Sequence, residues 1–278
     1  MKGEQMRHSY DLDGYVAPIE VMTREDAAGY RALFESIETS YAEDSIATKI
    51  LQGSADVVLP FVDEIMRLPS VLKPVKTVLG DDLLVLQASF FVKEPRTPAF
   101  VSWHQDLTYW GYDDASEVTA WVALSRATRE SGCMRFLPGS HRHGIVQHGD
   151  TFEESNMLSR GQEVVMEIDE ARAVDAELGP GEMSLHHGHL FHASHPNRST
   201  DRRIGLAIRY ATPSMRQESG QATFAHLVSG EDRYGHFQLL ESPTEVLAPH
   251  DVANAQRALA QLEEIGYENA ADRGERIT

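Results

Sequence analysis

Two side chains that could bind a divalent metal ion lie close together near the middle of the chain. The sequence Trp-His-Gln-Asp occupies positions 103–106, so one residue separates the imidazole of His104 from the carboxylate of Asp106. In extended backbone, side chains at positions i and i+2 leave the same face, and these two groups can therefore reach one ion. Two histidines and one carboxylate on one side of a metal ion leave its other side open for substrate and O2, which is the arrangement of non-heme Fe(II) oxygenases.

A site of this kind needs a second histidine from elsewhere in the chain. Because His-Xaa-Asp triplets arise by chance in a chain with 13 histidines and 43 acidic residues, the motif requires supporting context. The candidates lie in one histidine-rich stretch and are His186, His187, His189, His192 and His195. Spacing alone does not select among them. Since one more imidazole is sufficient, most of the five are expected to be loop residues or neighbours of the ligands.

The first third of the chain is expected to be mostly helical. Thr23 is followed three residues later by Asp26, a capping signal ahead of an apolar stripe that predicts an amphipathic helix. Apolar residues spaced by three and four predict a second helix after Ser54. Residues 70–79 are predicted to form a shorter and less regular helix, because they contain a proline. Residues 1–20 are expected to form a leader that ends in a turn and a short extended piece.

From residue 83 the pattern changes to that of short β-strands. Runs rich in β-branched and aromatic residues, ended by turn residues such as Gly and Pro, predict the strands. The predicted strands cover residues 84–93, 118–124, 133–137, 163–168, 173–178, 182–187 and 203–212. Several short strands at this spacing are typical of a sandwich or barrel. Residues 141–162 are expected to form a polar loop, and residues 250–269 a helix.

Length and composition limit the class of protein. One domain of residues 1–278 is expected, with a helical part (1–82), a β core (83–212) and an extension containing a helix (213–278), because no linker or repeat interrupts the sequence. The formal net charge of -18 disfavours nucleic acid and anionic membrane surfaces as partners. The single cysteine, Cys133, excludes an internal disulfide, and the polar N-terminus has no apolar signal region. A cytoplasmic protein is therefore expected.

Four sequence blocks in a fixed order carry a resemblance to a known family. They are Trp-His-Gln-Asp at 103–106, Cys-Met-Arg-Phe-Leu-Pro-Gly-Ser-His at 133–141, His-Ala-Ser-His-Pro-Asn at 192–197, and Arg203. Together with Asp-Gly-Tyr at 13–15, they resemble the phytanoyl-CoA dioxygenase (PhyH) family of Fe(II)- and 2-oxoglutarate-dependent oxygenases. The resemblance implies a mainly β protein with flanking α-helices. Its core would be a double-stranded β-helix, or cupin-like jelly roll, with the N-terminal helices packed on one sheet.

The resemblance also implies which histidine completes the metal site. In the family the distal iron ligand begins a His-Xaa-Ser-Xaa-Xaa-Asn motif, which falls on His192, so the implied ligands and catalytic residues are His104, Asp106 and His192. An arginine eleven positions later, here Arg203, binds the distal carboxylate of 2-oxoglutarate in the family. A planar, permanently charged guanidinium suits that task. The alternative for Arg203 is a surface charge at the strand edge, which is the expectation for its neighbour Arg202 on the opposite face.

Further positions match family contacts to the co-substrate or flank the metal motif. The resemblance implies 2-oxoglutarate contacts at Gln87, Trp121 and Ser194, and Ser89 joins them as a candidate because it shares a strand face with Gln87. Ordinary core packing is the alternative for these side chains. Tyr109 and Trp110 would suit a lid over an organic substrate, although aromatic packing within the loop explains them equally well. His187 either faces the substrate or is a core histidine.

The implied activity is hydroxylation of an unactivated C–H bond of a small organic substrate with Fe(II), 2-oxoglutarate and O2, releasing succinate and CO2. Halogenases that resemble this family replace the ligand carboxylate with a small residue, so Asp106 favours hydroxylation. The chain has no obvious Lys and Arg cluster for a coenzyme A phosphate, and its negative charge favours a small or neutral substrate. The identity of that substrate and the oligomeric state are not predicted.

Two other classes of protein stay open at this point. The first is a non-catalytic β-barrel binding protein that retains the pocket. The second is a zinc-dependent cupin-like hydrolase or isomerase. His141, His143 and His148 could also suggest zinc, but structural zinc sites usually use cysteine or a fixed histidine spacing. These three histidines are therefore expected to lie in a solvated loop.

Overall fold

Helices occupy most of the first third of the molecule, as predicted, in a computed structural model that describes residues 3–272. The helices are α1 (Gly3–Asp13), α2 (Arg24–Ser40), α3 (Ser45–Gly53), α4 (Ala55–Val58), α5 (Pro60–Arg67), α6 (Pro69–Leu79) and α7 (Pro249–Asp272). The predicted capping signal of α2 is confirmed. The hydroxyl of Thr23 accepts from the backbone N–H of Asp26 at 3.1 Å, and the Asp26 carboxylate accepts from the N–H of Thr23 at 3.3 Å.

The helical third differs from the prediction in three places. Helix α1 lies where a leader was expected, and its buried residues Met6 and Tyr10 are one helical turn apart. Helix α3 was not predicted; Asp44 caps it by accepting from two backbone N–H groups of its first turn. The single helix predicted after Ser54 is two helices, since Pro60 lacks an N–H and begins α5.

The strands form two large sheets and one small one. They are β1 (Tyr15–Glu20), β2 (Leu83–Lys93), β3 (Val101–His104), β4 (Glu117–Ala123), β5 (Met134–Phe136), β6 (His148–Asp150), β7 (Gln162–Val164), β8 (Val174–Ala176), β9 (Glu182–His187), β10 (His192–Ser194), β11 (Arg203–Ala211), β12 (Thr223–Ser229) and β13 (Phe237–Leu239). The seven-stranded sheet has the order β1-β9-β4-β11-β2-β12-β13 and the four-stranded sheet the order β3-β10-β5-β8, while β6 pairs with β7. Only the β12–β13 pair among these described ladders is parallel.

The two larger sheets enclose a common interior, which confirms the expected jelly-roll core. Trp121 and Ala207 of the seven-stranded sheet pack with Met134 and Phe136 of the four-stranded sheet. Strands β12 and β13 of the C-terminal extension were not predicted, and β6 begins inside the expected polar loop. Among the described helices, none combines the length and hydropathy that a bilayer crossing requires.

The N-terminal helices cover the outer face of the seven-stranded sheet, as expected. Phe34 of α2 stacks on Phe90 of β2 with ring centroids 4.0 Å apart. The hydroxyl of Tyr210 in β11 donates to the carbonyl of Met66 in α5 at 2.8 Å. This layer buries the apolar outer face of the sheet and so fixes the position of its inner face.

Strand β11 shows how alternation separates the two faces. Ile204, Leu206, Ile208 and Tyr210 belong to the apolar core on the helix side. The intervening residues Arg203, Gly205, Ala207 and Arg209 therefore point into the space between the sheets. A Cβ atom at Gly205 would overlap the indole of Trp121 on the neighbouring strand β4. The small residues Gly205 and Ala207 thus leave room for this ring in the middle of β11, and one arginine lies on each side of them.

Candidate metal centre and adjoining cavities

Antiparallel pairing within the four-stranded sheet brings the two histidines of the expected metal site together. His192 of β10 is the cross-strand partner of His104 at the end of β3. The Nε2 atoms of both imidazoles lie 3.8 Å from Oδ1 of Asp106. All three candidate ligand atoms lie within 4.8 Å of one another, and each side chain is at most 10% exposed.

The backbone of the His104-Gln105-Asp106 segment is extended only as far as Gln105. Gln105 has φ -122° and ψ 136°, but Asp106 begins a 3-10 turn over Asp106–Tyr109. The expectation of extended backbone through Asp106 is therefore wrong. Extended Gln105 alone is sufficient to send the flanking side chains of His104 and Asp106 to one side.

Hydrogen bonds to backbone carbonyls fix the tautomer of both histidines. Nδ1 of His104 donates to the carbonyl of Ser102 at 2.9 Å, and Nδ1 of His192 donates to that of Leu190 at 3.0 Å. A neutral imidazole carries one N–H, so Nε2 of each ring presents a lone pair to the cluster. Burial lowers the pKa of His104 to about 3 and that of His192 to about 4. Both imidazoles are therefore neutral near pH 7, the form that binds metal ions.

Gln105 locks the segment between the two candidate ligands. Its side-chain amide donates to the carbonyls of Gly144 and His189, both at 2.7 Å, and accepts from the N–H of Val146 at 2.9 Å. Its backbone N–H donates to Nε2 of His148 at 3.2 Å. His148 is 1% exposed, so the expectation that it lies in a solvated loop is wrong. Instead, its hydrogen bond with the Gln105 backbone supports the metal motif.

A chain of hydrogen bonds reaches the second oxygen of Asp106. The hydroxyl of Thr119 lies 2.9 Å from Oδ2 of Asp106 and 2.9 Å from Oε1 of Glu117. One hydroxyl hydrogen serves only one of these acceptors. Burial and the nearby Asp106 raise the pKa of Glu117 well above its ordinary value. The neutral form of Glu117 is thereby favoured, and in that form Glu117 donates to Thr119, which in turn donates to Asp106.

The remaining neighbours of Asp106 keep it ionised. Burial raises the pKa of its carboxyl, but His186, His192 and Arg209 outweigh this effect and hold the pKa well below its ordinary value. Nε2 of His186 lies 3.5 Å from Oδ2 of Asp106. Alternation in β9 sends His186 into the cavity and His187 to the other face, where its ring contacts that of Tyr10 at a centroid distance of 6.1 Å. Of the two alternatives left open for His187, this position favours the core histidine over a residue that faces the substrate.

An inner cavity of about 410 Å³ extends from the cluster into the space between the sheets. Its apolar walls include Phe91, Met134 and Ala207, and Arg203 lies among its polar lining. Arg203 is 1% exposed; its Nη1 donates to the carbonyl of Gly132 at 2.9 Å, and its Nε is buried with no hydrogen-bond partner. Burial lowers its pKa to about 10, so the guanidinium is charged at pH 7, and no carboxylate of residues 3–272 forms an ion pair with it.

Lys93 lies beside Arg203 and was not predicted to belong to the site. The two residues are cross-strand partners in β2 and β11, and Lys93 is fully buried. Its Nζ lies 2.6 Å from Oγ of Ser194, 3.3 Å from the Ser194 carbonyl and 2.6 Å from the His195 carbonyl. Burial and the charge of Arg203 lower the pKa of Lys93 to about 6. Nζ is the donor to all three oxygens, and these contacts tie β2 to Ser194 and His195.

The four further co-substrate candidates divide into two pairs. Trp121 and Ser194 line the inner cavity, and the Trp121 ring centroid lies 5.3 Å from the Arg203 guanidinium carbon. Gln87, the cross-strand partner of Arg209, donates to the carbonyl of Gly53 at 2.7 Å and lines a different cavity. The Ser89 hydroxyl accepts from Arg209 at 2.7 Å. Gln87 and Ser89 therefore do not line the inner cavity as the sequence led us to expect.

A larger outer cavity of about 1370 Å³ lies on the other side of the cluster. His104, Asp106 and Arg209 line both cavities. Tyr109 and Trp110 contribute to one wall of the outer cavity, and α7 contributes another through Leu259, Leu262 and Ile265. Both aromatic residues therefore line the outer cavity beside the cluster.

Sequence analysis missed several residues that surround the cluster. Thr119 lies two positions before Trp121 on β4, and Arg209 lies six positions after Arg203 on β11. Each therefore shares a strand face with a predicted site residue. Strand alternation was the available signal. On β2 it grouped Ser89 with Gln87 and on β11 it separated Arg202 from Arg203, but it was not extended to Thr119 on β4 or to Arg209 on β11.

Comparison with known proteins places these features in a family. The sequence model described as Phytanoyl-CoA dioxygenase (PhyH) matches residues 10–205. A probable alpha-ketoglutarate-dependent hypophosphite dioxygenase of Stutzerimonas stutzeri is 31% identical over 172 residues, which cover 59% of this chain and 58% of that protein. L-proline trans-4-hydroxylase of Streptomyces griseoviridis is 26% identical over 230 residues, covering 72% of this chain and 83% of the hydroxylase. The match thus spans less than two thirds of the first of these relatives.

Solved structures agree with the fold. The apo form of the non-heme monooxygenase ThoJ superposes with a TM-score of 0.86 at 29% sequence identity, covering 96% of this chain and 99% of that one. CytC3 with Fe(II) and alpha-ketoglutarate superposes with a TM-score of 0.64 at 20% identity, covering 89% and 98% of the two chains, a likeness of fold alone. With most of its length matched by the family model, the chain belongs to the phytanoyl-CoA dioxygenase family.

Proposed function

We propose that this protein is an Fe(II)- and 2-oxoglutarate-dependent dioxygenase that hydroxylates a C–H bond of a small organic substrate and releases succinate and CO2. One observation carries the proposal. A donor set of two neutral imidazoles and one carboxylate lies at one end of the inner cavity, and a buried guanidinium without an anion lines the same cavity. A dicarboxylate that also binds metal through an oxo acid group would satisfy both.

The donor set fits iron. His104, Asp106 and His192 would hold the ion through two imidazole nitrogens and one carboxylate oxygen, the ligand types of a facial triad with open positions. When bound, iron together with 2-oxoglutarate and O2 supplies the oxidising chemistry, which is the cofactor's own. The protein contributes orientation, because the Nδ1 hydrogen bonds and the Gln105 contacts fix the donor atoms before any ion arrives.

The inner cavity fits the distal part of 2-oxoglutarate. Arg203 would bind the distal carboxylate, since charged hydrogen bonds from a planar guanidinium are strong and directional. Ser194 and Trp121 line the same cavity, and the apolar walls would exclude water from the ion pair. The anion would also favour the charged form of Lys93, which lies beside Arg203 and is bonded to Ser194.

The outer cavity is the site we assign to the prime substrate. It is larger than the inner cavity and shares His104 and Asp106 with it, so a molecule held there would meet the metal from the side of Tyr109 and Trp110. A small molecule also agrees better than nucleic acid with the net charge of -18. The helical layer, both large sheets and α7 all build or support these cavities, and we therefore treat the chain as one oxygenase domain.

Names of the relatives do not identify the substrate. One relative is named for hypophosphite, another for L-proline and others for phytanoyl-CoA. These compounds differ in size, charge and the bond that is oxidised, and a shared fold does not determine the substrate. The reaction class, rather than the substrate, is what membership of this family supports.

The first prediction concerns the metal ligands. The Fe(II)-loaded protein should convert 2-oxoglutarate to succinate in an O2-dependent reaction without added substrate. Asp106→Ala and His192→Ala should each lower this rate by at least about 100-fold, since losing a partner of a ligand already costs about 10- to 100-fold. Succinate is measured by chromatography, and circular dichroism monitors the fold.

A binding protein would form no succinate, and a zinc hydrolase would not need 2-oxoglutarate. Wild-type rates in either variant would contradict the ligand assignment.

Arg203 carries the second prediction. Arg203→Ala should raise the KM for 2-oxoglutarate by about 30-fold or more, because truncating a buried charged partner costs about 2 kcal/mol or more. Steady-state succinate formation over a range of 2-oxoglutarate concentrations measures the effect. The neighbouring Arg202, which pairs with Glu35, Glu38 and Glu94 on the other face, offers the matched control. Arg202→Ala should leave the KM unchanged. Equal KM values for wild type and both variants would show that Arg203 does not bind the distal carboxylate.

The Thr119 hydroxyl is the subject of the third prediction. Thr119→Val keeps the shape of the side chain but removes the link between Glu117 and Asp106. We expect the Kd for Ni(II), used as a stable surrogate for Fe(II), to rise by about 10- to 100-fold. Thr119→Ser retains the hydroxyl and should stay within about threefold of wild type. Calorimetric titration of the three proteins provides the test, and an unchanged Kd for the valine variant would remove Thr119 from the metal site.

The pKa of Lys93 generates the fourth prediction. Between about 6 and the ordinary value of 10.5, the amine is neutral in the folded protein and protonated in the unfolded chain. The unfolded state then binds one more proton, so stability rises with pH by about 1.4 kcal/mol per unit. The stability of wild type relative to Lys93→Met should therefore increase from pH 7 to pH 9. Urea unfolding measures this difference. The corresponding difference for Lys76→Met, at a side chain that is 36% exposed, should not change between pH 7 and pH 9. A flat difference for Lys93→Met would refute the prediction.

A further inference from the structure

Arg209 occupies the boundary between the two cavities. It follows Arg203 by six residues on the inner face of β11 and is 6% exposed. The guanidinium carbon lies 5.3 Å from the ring centroid of Trp110 and 5.9 Å from that of Phe91. Besides His104 and Asp106, Arg209 is the residue that lines both cavities. Its positive charge is therefore presented at the floor of the outer cavity, next to the metal ligands.

The hydrogen bonds of Arg209 are incomplete. Nη1 donates to the hydroxyl of Ser89 at 2.7 Å, and Nε is buried without a hydrogen-bond partner. Among the described residues, no carboxylate lies within 4.0 Å of its guanidinium nitrogens, the distance of an ion pair. A guanidinium has five N–H donors and its burial is costly without a partner anion. The guanidinium thus has donors left for an acceptor that the described part of the chain does not supply.

Charge balance in the loaded site points the same way, and this step rests on the proposed function. A divalent ion and the 2-oxoglutarate dianion cancel, and Asp106 offsets only one of the two arginines, while the dianion also favours the charged form of Lys93. Burial and the nearby Asp106 favour the neutral form of Glu117, and Lys49, at the rim, is 68% exposed and already faces Glu263 at 3.7 Å. The loaded site then carries an excess of positive charge at low dielectric, and Arg209 is the cation among these that lines both cavities, where an anion is strongly attracted.

We propose that the outer cavity binds a small organic oxyanion, with its carboxylate or related acidic group paired to Arg209. The apolar part of the molecule lies between Trp110 and the Leu259 and Leu262 side chains of α7. Because Arg209 shares the cavity floor with His104 and Asp106, the acidic group is only a few bonds from the carbon that is oxidised. The net charge favoured a small or neutral substrate, and a local anion site of this kind selects a small, charged one.

The test compares matched carboxylates and amides. The protein is loaded with Zn(II) and N-oxalylglycine, and acetate, butanoate, hexanoate and 3-phenylpropanoate are titrated against their primary amides by saturation-transfer NMR. At least one carboxylate should bind about tenfold more tightly than its amide. Arg209→Met should abolish this preference and Arg209→Lys should retain part of it. Arg129→Met, at a side chain that is 80% exposed, should leave it unchanged.

Each other outcome overturns the proposal. No preference in any pair would exclude the anion site, and a preference that survives Arg209→Met would assign it to another cation. The metal-binding carboxylate of 2-oxoglutarate is the alternative occupant. A tenfold weaker calorimetric Kd for N-oxalylglycine in Arg209→Met would identify it as the partner of Arg209. If Arg209→Met does not fold, Arg209→Gln provides the same two measurements.

Failure of this inference is distinguishable from failure of the proposed function. Wild-type protein that binds Zn(II) and N-oxalylglycine and forms succinate, yet shows no preference for carboxylates, would overturn the anion site alone. Protein that neither binds N-oxalylglycine nor forms succinate would overturn the oxygenase itself and the anion site with it.

Discussion

The cross-strand pairing of His192 with His104 is the contact on which the rest of the site depends. It joins two short strands, β3 and β10, whose ladder holds few hydrogen bonds of its own. A slip of one residue would turn His192 away from the cluster, because side chains alternate between faces. Two further contacts hold this pairing in register. Strand β10 also pairs with β5, and Gln105, which lies between the ligands His104 and Asp106, bonds to two backbone carbonyls.

Strand β11 connects this cluster to both cavities. Its inner face carries Arg203 and Arg209 at the two sides of Gly205 and Ala207, whose small size admits the ring of Trp121. One arginine lines the inner cavity and the other lies at the boundary with the outer cavity. The outer face of the same strand is apolar and packs on the helices. A single strand therefore fixes the distance between the two positive charges, and the helical layer keeps that strand in place.

Local signals in the sequence predicted the local features of the structure. The capping box at Thr23, the strand run of β2 and the histidine motif of β3 depend on neighbouring residues, and each was found. Helix α3 and strands β12 and β13 have weaker patterns and form through contacts with distant parts of the chain. Gln87 bonds to the carbonyl of Gly53 at the end of α3, a contact that spacing within β2 does not reveal. The roles of Lys93 and Arg209 likewise arise from cross-strand neighbours rather than from motifs.

The buried cations explain what the site contributes and what it costs. Arg203 and Arg209 lie between the sheets, and neither has a carboxylate partner within ion-pair distance among the described residues. Apolar side chains of similar volume would stabilise the free protein, because an unpaired buried charge is unfavourable. Local conflicts of this kind occur at functional sites and are offset elsewhere in the fold. The large apolar core between the helices and the seven-stranded sheet provides that offset, so the cations are better explained by the anions they would bind than by stability.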